Sequence, residues 1–324
     1  MAIYREDLQN EIEDVVLDKT VSKIKRQNLS TILKIQQGIL RAVDDFMYKN
    51  GVVRMMPLMI APVTDTLNHD VEETSITYQN QNFDVMKSMI FHKQLTLMNE
   101  GLEKIYIVSP NIRLERAERG DSRHLFEFTQ IDFEFKNANM DDILTFIESL
   151  VSYIFSEVKE KYAKEIEEIA GSTEHLNITT PFLRYDTKDL EKLHGPDFEG
   201  IASRQATQPF FLTNHKREFY DAEDLNNRGN YRNYDLIWPR GYVEGLSGGE
   251  REYLYERIIE RMDELNSDKH RFRSYLKLAK DGLIPKTAGA GLGVERMTRF
   301  VCQLPEVDAV TVFVRKPGEG PYLF

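Results

Sequence analysis

Between Ile112 and Leu125 the chain gathers ionisable side chains: Arg113, Arg116, Arg119 and Arg123 are interleaved with Glu115, Glu118 and Asp121, and His124 closes the run. Guanidinium groups grip phosphate oxygens in bidentate fashion, so this density of arginine suits a polyphosphate ligand. The alternative is a solvated hairpin tip whose charges pair with one another. A second stretch sets Asp235 and Glu244 on either side of Trp238-Pro239-Arg240-Gly241. If the chain turns back there, the two carboxylates come to neighbouring positions as hard oxygen ligands for Mg²⁺. In a third, Gly289, Gly291 and Gly293 precede Val294-Glu295-Arg296. Small residues let a strand pass close to a ligand, and a following helix offers its N-terminus to negative charge. The pattern is not the G-x-x-x-x-G-K phosphate loop.

Strands must position the first group. Ile105 to Ile112 is rich in Ile, Tyr and Val, and Phe126 to Phe135 alternates apolar with polar residues, which predicts an antiparallel pair joined by the charged loop. Upstream, Arg5 to Tyr48 has helical spacing, with Ile32, Ile35, Ile39, Val43 and Phe46 on one face, a start near Asn28-Leu29-Ser30 and a stop at Asn50-Gly51. A strand containing Pro57 is expected over 52–60, then a polar loop over 64–83 with one short strand at 74–78. A helix is expected to run to about Glu100, and a long amphipathic helix from Met140 to Ala163 continues to a stop at Gly171. Pro209 to Thr213 reads as a buried strand.

Composition bounds the rest. The chain has 324 residues, 41% hydrophobic and 10% aromatic, enough for a sizeable core. A single cysteine, Cys302, excludes an internal disulfide and a cysteine-based zinc site, and it reads as a small buried apolar residue. No apolar run suits a membrane span and the N-terminus is too charged for a signal peptide, so a cytoplasmic location is expected. The formal net charge is -11. Polyanions need concentrated basic surface, and the nearest basic run, Lys23-Ile24-Lys25-Arg26, reads as a solvated helix face.

Ile112-Arg113-Leu114-Glu115, with Arg123-His124-Leu125 and Glu127-Phe128 after it, resembles motif 2 of the class II aminoacyl-tRNA synthetases in its aspartyl and asparaginyl form. The resemblance implies ATP bound in a bent shape, with Arg113 on the α-phosphate, Glu115 at the adenine amino group, His124 and Arg123 at the γ-phosphate, and Phe128 stacked on adenine. The helix, Gly51 turn and strand through Arg54-Met55-Met56-Pro57-Leu58 are similar to motif 1, which implies a homodimer. Thr287 to Phe300 is similar to motif 3, with Arg296 over adenine, and makes Arg113 and Arg296 the implied catalytic pair. Asp84 to Gln94 resembles the segment that meets the amino acid. Ser88 and Lys93 match it, and Ile90 stands where a glutamine is usual; by itself Lys93 could be a surface lysine on a helix. Tyr234 to Arg251 resembles archaeal asparaginyl-tRNA synthetases and implies Glu244, Ser247 and Asp235 around Mg²⁺, Gly248 and Gly249 close to the nucleotide, and Arg251 on a carboxylate of the amino acid. The implied fold is α+β, a class II synthetase-like antiparallel sheet flanked by helices.

Synthetases of this branch carry an N-terminal anticodon-reading barrel, for which the sequence ahead of motif 1 leaves no room. Residues 1–27 are therefore expected as a helical extension and residues 28–324 as the catalytic domain. Similarity to the archaeal asparagine synthetases related to this branch then implies an AMP-forming ligase. Aspartate and ATP would give aspartyl-adenylate, which ammonia would convert to asparagine with no tRNA partner. The alternative is a minimal asparaginyl- or aspartyl-tRNA synthetase, or an inactive paralogue that binds tRNA or protein; the intact ATP set favours an enzyme.

Overall fold

The computed structural model describes residues 2–67, 71–116, 122–320 and 322–323, with the backbone alone for 2–12. Two helices lead, α1 (Ala2–Lys25) and α2 (Leu29–Lys49). The apolar stripe expected on α2 is buried along its whole length, from Ile32 to Phe46. Gly51 then turns the chain at φ +69, a backbone state that costs other residues energy. Pro57 falls in a gap between two short strands, β1 (Val53–Arg54) and β2 (Ile60–Ala61), instead of inside one strand over 52–60. A proline has no amide to give a ladder, so pairing stops around it.

The hairpin of β3 (Ile76–Tyr78) and β4 (Gln81–Val85) turns at Gln79 and Asn80, both at positive φ. Its first strand matches the expectation over 74–78. After α3 (Ile90–Thr96), β5 (Lys104–Ile112) and β6 (Glu127–Lys136) form the predicted antiparallel pair, in register from Lys104 with Phe135 to Ile112 with Glu127. The long helix α4 (Met140–Ala170) begins at a capping box of Asn139 and Asp142 and ends at Gly171, whose φ of 78 supplies the left-handed stop. Shorter elements follow: β7 (Leu183–Asp186), α5 (Thr187–His194), α6 (Phe198–Gln205), β8 (Phe210–Thr213), β9 (Asn233–Trp238) and β10 (Val243–Arg251). Helices α7 (Tyr255–Glu264) and α8 (Arg273–Lys280) precede β11 (Thr287–Gly293) and α9 (Val294–Val301).

Eight strands make the main sheet in the order β1-β5-β6-β11-β10-β9-β8-β7, and β2-β4-β3 form a small second sheet. The interior pairs of the main sheet are antiparallel, and the outermost pair at each edge is parallel. Strand alternation gives the sheet two unlike faces. Ile131, Phe133 and Phe135 of β6 and Ala288, Ala290 and Leu292 of β11 join the core beneath α2, α4 and α9. Burying each large apolar side chain there contributes about 1.5–3 kcal/mol. Cys302 lies in this core, where burial pushes its thiol up to about 12. The alternate residues, Gln130, Asp132, Gly291 and Gly293 among them, line cavities on the opposite face. A second apolar cluster, including Phe91, Phe219, Ile258 and Phe272, packs α3, α7 and α8 beside that face. Among the described residues no helix is long and apolar enough to cross a membrane.

Candidate active site

Two cavities open on the polar face of the sheet, and between them they are lined by the candidate ATP, amino-acid and metal residues named from the sequence, except Gly249, which lines neither. The first takes Arg113, Glu115, Arg123, His124, Phe128, Glu244 and Arg296. The second, more polar cavity takes Ser88, Lys93, Asp235, Ser247, Gly248 and Arg251, together with Arg113 and Glu244. Arg113, Gln130, Glu244 and Gly291 line both, so the cavities meet at one place. Glu118, Arg119 and Asp121 of the charged loop lie outside the described residues.

In the first cavity the guanidinium of Arg113 stands 5.2 Å from the centre of the Phe128 ring, and its Nε donates to the Lys87 carbonyl at 3.2 Å. From the facing side Arg296 Nη1 donates to Glu244 Oε1 at 2.9 Å and to the Glu244 carbonyl at 3.1 Å. The neighbouring Glu295 accepts the Thr129 amide at 3.0 and 3.1 Å, tying α9 to β6, and burial raises its carboxyl to about 7. Glycine is required on β11 for a steric reason. A Cβ at Gly291 would stand 2.9 Å from Asp132 Oδ1, and one at Gly289 would collide with the Phe133 carbonyl and the Glu134 carboxylate.

The second cavity is built over a buried ionic network. Lys93 Nζ lies 2.9 Å from Asp132 Oδ1 and 3.7 Å from Glu134 Oε2. Arg251 reaches Glu134 at 3.2 Å, Asp221 at 3.3 Å and the Gly289 carbonyl at 3.1 Å. Arg217 bridges Asp235 at 2.8 Å and Asp221 at 3.2 Å and also donates to the Gly248 carbonyl at 3.0 Å. Burial pushes the Asp235 carboxyl up, and Arg217 and His215 more than offset it, so it stays below the usual range. Glu218 is raised to about 8 by burial and then by Asp65 and Asp221.

A divalent cation has a carboxylate available at the junction. Glu199 on α6 accepts the Glu244 amide at 3.2 Å, and burial, then Glu244 and Asp235, lift its carboxyl to about 7. Such like-charge crowding is what a cation relieves. Asp235 already has Arg217 on one oxygen and His215 Nε2 3.2 Å from the other, whereas Glu244 pairs with Arg296 through Oε1. Among the described residues no ready cluster of three His, Cys, Asp or Glu ligands is present.

Several residues of the site face and of the ionic network beneath it escaped the sequence reading. Gln130, Asp132 and Glu134 follow Phe128 at a spacing of two, and that alternation alone was enough to place them on the site face. Arg217, Glu218, Tyr220 and Asp221 come from an irregular loop, where no period marks which side chains point inward.

A family model described as tRNA synthetases class II (D, K and N) matches residues 12–317. An asparagine–tRNA ligase of Pyrococcus abyssi is 29% identical over 94% of this chain and 73% of its own length. An aspartate–tRNA(Asp) ligase of Thermococcus kodakarensis is 29% identical over 93% of this chain and 72% of its own. The asparaginyl-tRNA synthetase of Pyrococcus horikoshii complexed with asparaginyl-adenylate superposes with a TM-score of 0.85 at 26% identity, covering 96% of this chain and 73% of that one.

These relatives correct two expectations. The ammonia-dependent asparagine synthetase activity and the absence of a tRNA partner both give way, because the similar proteins are tRNA ligases. One physical reason is that a net charge of -11 averages over the whole surface and does not report on a local patch. Another is that Lys93 and Arg251, expected to meet the amino acid, are each paired with buried carboxylates. With the family model spanning nearly the whole sequence and its motif residues gathered around two joined cavities, the chain belongs to the class II tRNA synthetases of the D, K and N group.

Proposed function

We propose that the chain activates aspartate or asparagine with ATP as the aminoacyl-adenylate and transfers the aminoacyl group to tRNA. The observation that carries this reading is the junction of the two cavities at Arg113, Gln130, Glu244 and Gly291. A reaction that joins two bound molecules needs such a meeting point, since holding the partners in line removes much of the entropic barrier.

In this reading ATP fills the first cavity, with adenine between Phe128 and Arg296, its amino group at Glu115, and the γ-phosphate at Arg123 and His124. The amino acid fills the second, near Ser88, Lys93 and Arg251. Its carboxylate attacks the α-phosphorus in line, pyrophosphate leaves, and Arg113 stabilises the charge that develops on the phosphoryl oxygens. A fixed donor of this kind is commonly worth about 3 kcal/mol. Mg²⁺ held by Glu244 and Ser247, with Glu199 at hand, would neutralise phosphate charge. A tRNA hydroxyl then attacks the activated carbonyl and AMP leaves. No covalent enzyme intermediate is required.

The reading includes a homodimer through the motif 1 region, supported by the exposure of Met56, Leu58 and Met59 beside the edge strand β1. ATP–pyrophosphate exchange with aspartate and with asparagine tests the first half-reaction. Exchange that depends on one of the two supports it, and exchange with neither, in protein that binds ATP, opposes it.

A further inference from the structure

The stretch that carries Arg123, His124 and Leu125 hangs between two backbone hydrogen bonds from the C-terminal segment. On one side the Val307 amide donates to the Ser122 carbonyl at 2.9 Å; on the other the Phe126 amide donates to the Arg315 carbonyl, also at 2.9 Å. Arg315 Nε adds a bond to Glu127 Oε2 at 3.0 Å, and Val307 lines the same cavity as the three residues it helps to hold. The C-terminal segment is pinned in turn at Asp308. Its carboxylate accepts from Lys23 Nζ, from Thr311 Oγ1 at 3.0 Å and from the Arg315 amide at 3.3 Å. Lys23 also donates to Thr311 Oγ1 at 2.9 Å, and Arg26 Nη2 donates to the Thr311 carbonyl at 3.2 Å. The Lys23 and Asp308 side chains are only 11% and 16% exposed, so solvent screens this pair far less than an ordinary surface ion pair.

We propose that Lys23 and Asp308 are positioning residues for the nucleotide. The pair joins α1 to the C-terminal segment, that segment fixes both backbone ends of 122–126, and the fixed loop presents Arg123 and His124 to the polyphosphate already ordered. The inference rests on the placement of ATP in the first cavity. Its physical content is preorganisation: a loop that must order itself on binding loses part of the interaction energy, at a cost that falls on affinity and not on the reacting atoms. Lys23 lines neither cavity, and the second cavity receives nothing from α1 or the C-terminal segment. The effect is therefore confined to the nucleotide.

The test compares Lys23→Ala, Lys23→Arg, Asp308→Asn and Arg113→Ala, using calorimetric ATP binding, steady-state kinetics, hydrogen exchange at the Phe126 amide and the unfolding midpoint. Lys23→Ala and Asp308→Asn are expected to weaken ATP about tenfold, the scale of ordering one or two side chains. Both should speed exchange at Phe126 and leave kcat at saturating ATP and KM for the amino acid within about twofold. Lys23→Arg should restore most of the affinity. A weakened Arg113→Ala beside a Lys23→Ala that binds ATP like the wild type would overturn the brace alone. An Arg113→Ala variant unchanged in both ATP binding and turnover would overturn the nucleotide site itself and this inference with it. Equal losses toward ATP and amino acid, accompanied by a lower unfolding midpoint, would mean that the pair serves general stability and would also overturn it.

Discussion

Lys93 and Asp132 form an ion pair of 2.9 Å in the wall of the second cavity, with side chains only 2% and 3% exposed. Glu134, fully buried, stands between Lys93 and Arg251 and touches both. The cations of this cavity thus come with their own counter-charges. A substrate side chain enters a network already near balance and must take over contacts within it.

Removing Lys93 should be costly for the fold as well as for the substrate. Lys93→Met leaves Asp132 without its cation, Glu134 keeping Arg251, and should destabilise by about 3–5 kcal/mol. The double variant Lys93→Met, Asp132→Leu should recover part of that loss. Urea unfolding of the two singles and the double completes a cycle; strict additivity would show that the pair is not coupled.

Arg113 and Arg296 should behave differently. Both line the first cavity with no role in the apolar core, so Arg113→Ala and Arg296→Ala should leave the unfolding midpoint nearly unchanged while lowering amino-acid activation about 100-fold, the usual effect of losing one fixed charge donor. Wild-type exchange rates in either variant would contradict the site.

Gly289 tests the close approach of β11 to β6. Its missing Cβ would meet the Phe133 carbonyl and the Glu134 carboxylate, and backbone cannot move aside cheaply. Gly289→Ala should destabilise by at least about 2 kcal/mol, the range for overpacking in a dense interior. Gly282→Ala, by contrast, meets nothing within 4 Å but sits at φ +68, so its smaller cost would come from backbone strain alone.

Glu218 gives a pH signature. Its carboxyl is raised to about 8 in the fold by burial and by Asp65 and Asp221, so the folded state binds that proton more tightly than the unfolded chain does. The contribution is fully present below the ordinary carboxyl value, is lost progressively as pH rises through about 8, and changes no further above that. Glu218→Gln should therefore gain stability relative to the wild type between pH 5 and pH 9 in denaturant titrations, as estimated roughly from linkage. A constant difference across that range would show that Glu218 is ionised throughout.

Much of this architecture was legible wherever burial imposes a period. The stripe Ile32, Ile35, Ile39, Val43 and Phe46 announced α2, and the alternation from Phe126 to Phe135 announced β6, because each side chain there must face either core or solvent. Motif residues such as Arg113, Glu244 and Arg296 were legible through their resemblance to a family, and they do line joined cavities. The counter-charges were harder to see. Asp221 and Arg217 reach the site from a loop without period, and the pairing of Lys93 with Asp132 joins positions far apart in sequence, so the charge of the pocket could not be added up before the strands were in register. The tRNA partner was misjudged for a related reason: net charge is a property of the whole chain, whereas recognition belongs to a patch.

The central claim is that the two cavities act together to activate an amino acid for transfer to tRNA. Acylation of unfractionated tRNA with labelled aspartate or asparagine, by the wild type and by Arg113→Ala, tests it most directly. The account predicts ATP-dependent label on tRNA with one of the two amino acids, release of AMP, and a loss of about 100-fold in the variant. No label on tRNA with either amino acid, from protein that is folded and binds ATP, would contradict it.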